Sequence, residues 1–184
     1  VLVAGASDVG VEDAAVLIRY RPDGSLDRSF GEGTGFVVAG TAREMTGFAT
    51  DGSGHLLTSL YGVPSTLVEL RTVDGSRESG FGVDGSVALP RRIQVKAVAF
   101  AAGGGPVVAG ARDLGGPAEP GVLLRYRPDG SPDRGFGQGG RVDLVTPVGE
   151  EVRTRALVAD RRGRLLVAGF SHHRLALVRL LPNG

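Results

Sequence analysis

Residues 16–31 read Val16-Leu17-Ile18-Arg19-Tyr20-Arg21-Pro22-Asp23-Gly24-Ser25-Leu26-Asp27-Arg28-Ser29-Phe30-Gly31, and the stretch returns almost letter for letter at 122–137 as VLLRYRPDGSPDRGFG. A worn copy lies between them at 67–82, LVELRTVDGSRESGFG, and a fourth starts at Ala176 as ALVRLLPNG. The turn step of each copy falls at Asp23-Gly24, Asp74-Gly75, Asp129-Gly130 and Asn183-Gly184, at intervals of 51, 55 and 54 residues. A period of that size, carried by short apolar runs, marks a repeat architecture.

Working outward, each copy is flanked by further short apolar runs. One set lies at 1–5, 56–60, 106–110 and 165–169, and the last three of these follow a glycine-containing turn. Before those turns lies a second set at 46–50, 97–101 and 156–159, and after each Phe-Gly step comes a third at 35–39, 86–89 and 141–145. Paired runs joined by tight turns read as hairpins. Four short strands per repeat describe one blade of a β-propeller. A helix is excluded, because no run keeps a 3.6-residue period for ten residues without Gly or Pro. The runs at 14–18, 122–124 and 165–168 are apolar at both parities, as expected of sheets covered on both faces. The fold class is therefore all-β, a propeller segment of about three and a half four-stranded antiparallel blades. The parts are a partial blade at 1–40, blades at 41–90 and 91–146, and a partial blade at 147–184. An open arc would leave apolar blade faces in water. The segment is expected to belong to a larger propeller, closed by flanking sequence or by a second copy.

Composition narrows the function. The net charge of +1 gives no field that favours nucleic acid. There is no cysteine, so disulfides and thiolate metal sites are excluded. No apolar run approaches the roughly 18 residues of a membrane span. The stretch carries no signal peptide, and it contains no GxSxG, HExxH or P-loop pattern. No cofactor is indicated. Zinc is not expected at His55, His172 and His173, since adjacent histidines in an extended segment point apart and three or four ligands are needed. Calcium at Asp23 and Asp27 falls short of the six to eight oxygens such a site takes.

The repeated motif resembles the delta-60 repeat, a β-propeller repeat of bacterial proteins with pattern LxRxxPDGSxDxxFG, and more distantly the NHL class. It is carried by LIRYRPDGSLDRSFG at 17–31 and LLRYRPDGSPDRGFG at 123–137. VELRTVDGSRESGFG at 68–82 lacks the Arg and the Pro, and LVRLLPNG at 177–184 matches as far as it goes. The resemblance implies a secreted or surface-exposed bacterial propeller of uncharacterised activity, and it supplies no catalytic residues.

Each recurring residue has a mechanical reading. In Pro22-Asp23-Gly24 the Pro presets φ, the Asp caps the turn and the Gly takes positive φ. Asp27 and Asp133 read as acceptors of backbone N–H groups of the Phe-Gly turn; the alternative pairs them with Arg19 and Arg125. Phe30, Phe81 and Phe136 are expected to plug the space between blades. The connections at the other end of the strands vary in length and are rich in mixed charge. Function tends to sit on variable loops over a uniform scaffold. A protein or glycan partner is therefore expected on the face with Arg43, Arg91, Arg92, Arg112, Arg153, His172 and His173. The expected function is a non-catalytic structural or interaction scaffold in an exported bacterial protein. The competing reading is a propeller lyase or lactone hydrolase with a metal-dependent site in the axial funnel. It needs inward acids or histidines that the innermost runs lack.

Overall fold

The computed structural model describes residues 1–8, 13–39, 44–61, 66–103, 105–113, 120–146, 148–172 and 174–184. It is all-β and falls into two compact units, Val1–Leu89 and Pro90–Gly184. The first holds a sheet of β1 (Leu2–Asp8), β2 (Asp13–Arg19) and β3 (Phe36–Val38), and a sheet of β4 (Glu44–Thr50), β5 (Leu56–Tyr61), β6 (Leu67–Arg71) and β7 (Ser86–Ala88). The second holds β8 (Ile93–Phe100), β9 (Pro106–Arg112), β10 (Gly121–Arg125) and β11 (Arg141–Asp143), then β12 (Arg153–Ala159), β13 (Leu165–Ser171) and β14 (Arg174–Leu180). Every sheet is an antiparallel meander in chain order. This is the blade pattern of three, four, four and three strands that the sequence implies. Strands extend further into the connections than the apolar runs do: β1 reaches Asp8 and β9 reaches Arg112. Backbone pairing does not stop where apolar side chains stop.

Within the first unit, Leu17, Phe30 and Leu56 form a core with Leu2, Ala4, Val37 and Met45 partly buried around them. In the second, Val107, Leu123, Phe136, Leu144, Leu165 and Val167 belong to one cluster. Over 122–124 β10 is buried at both parities, as expected, whereas β13 alternates. The reading of 165–168 as covered on both faces is therefore corrected. Leu166 and Phe170 stand exposed, as do Val158, Leu175 and Leu177 on the neighbouring strands of the same sheet. Val3, Phe36 and Val38 are similarly exposed on the first sheet. A one-residue irregularity recurs at the same place in three repeats, between Met45 and Gly47, Val95 and Ala97, and Thr154 and Ala156. Such a bulge adds local twist to the first strand of each sheet.

A recurring clasp joins neighbouring sheets inside each unit. Gly31 donates its N–H to the Asp74 carbonyl at 2.8 Å, and Gly137 donates to the Asn183 carbonyl at 2.7 Å. Arg19 reaches the Val73 carbonyl and Arg125 the Pro182 carbonyl, one residue earlier in the same turns. Each arginine is held from behind. Its Nε donates to Asp27 at 2.8 Å or Asp133 at 2.7 Å. Its guanidinium lies over the Phe30 or Phe136 ring, 4.7 and 4.5 Å from the centroid. The Arg–Asp pairs are thus present, and the plugging phenylalanines are fully buried. The turn glycines 24, 75, 130 and 184 take φ of 83, 93, 84 and 100°. Gly75 meets a second demand, because a Cβ there would sit 2.7 Å from the Phe30 ring. The Phe-Gly glycines are as confined: a Cβ on Gly82 would lie 2.1 Å from the Ser86 carbonyl oxygen.

Candidate functional site

The repeated turns are internally satisfied. Asp23 Oδ1 accepts the Ser25 N–H at 2.9 Å and its hydroxyl at 2.7 Å, and Asp129 accepts from Ser131 in the same way. The hydroxyl bond, then the backbone bond, hold both carboxyls below their ordinary value. Asp27 Oδ1 takes the Ser29 hydroxyl and N–H at 2.7 and 3.1 Å, and its Oδ2 takes Arg19. Asp23 Oδ1 and both oxygens of Asp27 thus take the chain's own donors. His55 Nδ1 lies 2.9 Å from Asp51 Oδ2. Burial pushes the Asp51 carboxyl up, but its bonds to His55 and Ser53 outweigh this and hold it low. The equivalent turn uses Arg164 on Asp160, at 2.6 Å.

Of the residues singled out from the connections, Arg91, Arg92, Arg112, Arg153 and His172 lie at one end of the second unit's sheets. Pairings of Ile93 with Arg112, Gly121 with Ala111, Val122 with Asp143, and Arg153 with Phe170 fix this. The two sheets are tied there by Gly121 N–H to the Val152 carbonyl, at 2.9 Å. Arg91 and Arg92 precede β8 and are exposed. Arg92 takes φ of 67°, and its carbonyl accepts the Asp113 N–H at 2.8 Å. Arg112 closes β9 with its Nε 3.8 Å from Asp143, which Arg141 also holds at 2.7 Å. Arg153 opens β12, and exposed His172 follows β13 with φ of 43°. Glu150 is held by the Ser171 hydroxyl at 3.0 Å. Arg43 and His173 lie outside the described residues. Among the described residues, no three of His, Asp and Glu converge as a metal would require, and no helix is long and apolar enough to cross a membrane.

A second feature carries no recognisable motif in the sequence. In the first unit Glu69 is fully buried and accepts Nη2 of Arg71 and Nη2 of Arg77, both at 2.7 Å. Arg71, itself buried, also donates Nη1 to the Gly75 carbonyl at 2.9 Å. The same three positions are Ile18, Tyr20 and Leu26 in the first repeat and Leu124, Tyr126 and Pro132 in the third. The signal was polar letters at positions that are apolar in the other copies.

Sheets of three or four antiparallel strands, joined by a recurring turn at a fifty-residue period, define a β-propeller repeat fold. A family model described as "Domain of unknown function (DUF5122) beta-propeller" matches residues 1–30. The solved structure of a protein of unknown function from Bacteroides caccae matches the chain over its whole length, with TM-score 0.54 and 17% identity. The match covers 54% of that protein, so this chain spans about half its length. At that identity the likeness is one of fold alone. No curated protein matches the chain.

Proposed function

We propose that the chain is a non-catalytic scaffold built of delta-60-type repeats, part of a larger propeller in an exported bacterial protein. It presents its charged strand ends to a protein or glycan partner. The observation that supports this reading is the contrast between the two ends of the strands. At one end the Asp-Gly turns are nearly identical, and Asp23, Asp74 and Asp129 each accept from a residue of their own turn. At the other the connections vary, and Arg91, Arg92, Arg112, Arg153 and His172 gather with Asp143 and Glu150 in the second unit. Mixed charge of this kind suits a polar partner surface, where charge complementarity sets specificity. The larger ring is supported by the exposed apolar faces around Phe36 and around Leu175 and Leu177, which are large for a surface left in water.

The test is a glycan and peptide array probed with the chain, repeated with Arg91, Arg92, Arg112 and Arg153 all changed to serine. Retention of a polysaccharide or peptide, lost in the fourfold variant while the melting temperature holds, is the expected result. Turnover of a retained compound, or retention that survives the four substitutions, overturns the reading.

A further inference from the structure

The first unit contains a crevice of about 420 Å³ between β3 and the Asp74-Gly75 turn of the neighbouring sheet. That volume lies within the range of small-molecule sites. One wall is β3, whose Phe36 and Val38 are 43% and 46% exposed. The other wall carries Arg71, Ser76 and Arg77.

Both walls stand where the repeat departs from itself. After the Phe-Gly step the first repeat has Gly31-Glu32-Gly33-Thr34-Gly35, one residue longer than Gly82-Val83-Asp84-Gly85 and Gly137-Gln138-Gly139-Gly140. Across the crevice, Arg71 and Arg77 replace residues that are Tyr and Leu or Pro in the other copies. Departures from a locally consistent pattern concentrate at functional sites, and here two of them meet at one opening.

We propose that this crevice binds a small monocarboxylate with an apolar body, free or as a peptide C-terminus ending in an aliphatic residue. Inside the wall two guanidiniums share the single Glu69 carboxylate, so one positive charge is left over. Glu69 engages only Nη2 of Arg77, whose side chain is 45% exposed. Among the described residues the other side-chain donors of Arg77 meet no acceptor, and a planar oxygen pair is the geometry to which guanidinium is matched. Phe36 and Val38 supply the apolar surface for the ligand's body. Glu32 at the rim disfavours a second negative charge, so a carboxylate is preferred over a phosphate. This inference is independent of the partner face proposed above, which lies in the other unit.

The probe is N-acetyl-leucine, titrated into ¹⁵N-labelled chain and followed by amide chemical shifts. N-acetyl-leucinamide, inorganic phosphate and a leucine-ending tripeptide are run beside it. The expected result is saturable shifts at residues 31–38 and 71–77. The amide and phosphate bind at least tenfold more weakly, and Arg77→Gln weakens the acid to the same extent. Arg77 also holds a buried carboxylate, so Phe36→Ser serves as a second variant; it disturbs no buried charge and is expected to weaken binding severalfold. If the tripeptide binds tenfold better than the acetyl amino acid, a chain terminus is the source; if not, it is a free acid. The proposal is overturned by absence of shifts at millimolar probe, by equal binding of acid and amide, or by binding that survives Phe36→Ser.

Discussion

The second and third repeats fold the same strand and turn with opposite chemistry at three matched sites. In the third, Leu124, Tyr126 and Pro132 are apolar, and Tyr126 bridges Pro132 across the turn. In the second, Glu69, Arg71 and Arg77 stand there, with Arg71 bridging Arg77 in the same way. The neighbouring position reverses the exchange: Arg125 of the third repeat is Leu70 in the second. One arginine has in effect moved to the other face of its strand, since successive side chains alternate. The backbone tolerates this because the turn glycine and the plugging phenylalanine are kept in both. Those two features fix the repeat, and the polar pairs are variable fittings upon it.

The largest effect should come from unbalancing the charged version. Glu69→Ala leaves Arg71 buried beside Arg77 without a carboxylate, a situation that costs about 3–5 kcal/mol. Replacing the whole set by the third repeat's residues, Glu69→Leu with Arg71→Tyr and Arg77→Pro, removes the charges together. That variant should be neutral or more stable by about 1–4 kcal/mol, because well-packed apolar residues avoid the desolvation of the buried Glu69–Arg71 pair. Urea unfolding of the two variants checks this. If Glu69→Ala lost less than about 1 kcal/mol, Glu69 and Arg71 would not be the buried ion pair described.

The converse case is the clasp of the third repeat, and it should be smaller because its arginine is partly solvated. Arg125 is held by Asp133, stacked on Phe136 and bonded to Pro182. Arg125→Leu, which copies Leu70, should destabilise the second unit. Once Arg125 is gone, Asp133→Ser should cost less than it does alone. A coupling of about 0.5–3 kcal/mol is expected for residues in such contact. Additivity of the two substitutions in a double-mutant cycle would show that Asp133 serves only its own turn, through the Gly135 N–H at 3.1 Å.

This contrast also explains what the sequence made legible. Strand number, hairpin order, the positive-φ turns and the buried phenylalanines follow from local rules repeated several times, so one copy checks another. The Arg–Asp pairing was readable for the same reason, since Arg19 and Asp27 recur as Arg125 and Asp133. The carbonyls those arginines reach were not, because Val73 lies 54 residues from Arg19 and a backbone oxygen leaves no mark in the alphabet. The Glu69 triad was hidden by the comparison that revealed the fold. Against two intact copies, the second repeat reads as decay, and only the packing shows that its three odd letters touch one another. The bulges at Thr46, Lys96 and Arg155 were invisible too, because a bulge is a property of register between strands, and these three residues share no side-chain chemistry.

The smallest effect separates the two repeats by pH. Tyr126 is buried where the second repeat has Arg71, and burial pushes its phenol up to about 12 from 10.0. The folded state therefore resists ionising a group that the unfolded chain ionises freely above its ordinary pKa. Such a group's stabilisation is whole below pH 10 and drains away as pH rises toward 12. By pH 10.5 the loss should be about 1 kcal/mol, from the linkage between the two values. Unfolding of the second unit, followed by urea titration between pH 9 and 10.5, should show the decline. Tyr126→Phe should flatten it while leaving neutral-pH stability nearly unchanged. A decline of the same slope in Tyr126→Phe would mean the phenol is not the sensitive group. The replacement Tyr126→Arg alone, with Leu124 kept, should be far worse than either. It buries a cation that the second repeat accommodates only because the Glu69 carboxylate lies two residues before Arg71 on the same face, where the third repeat has an aliphatic side chain.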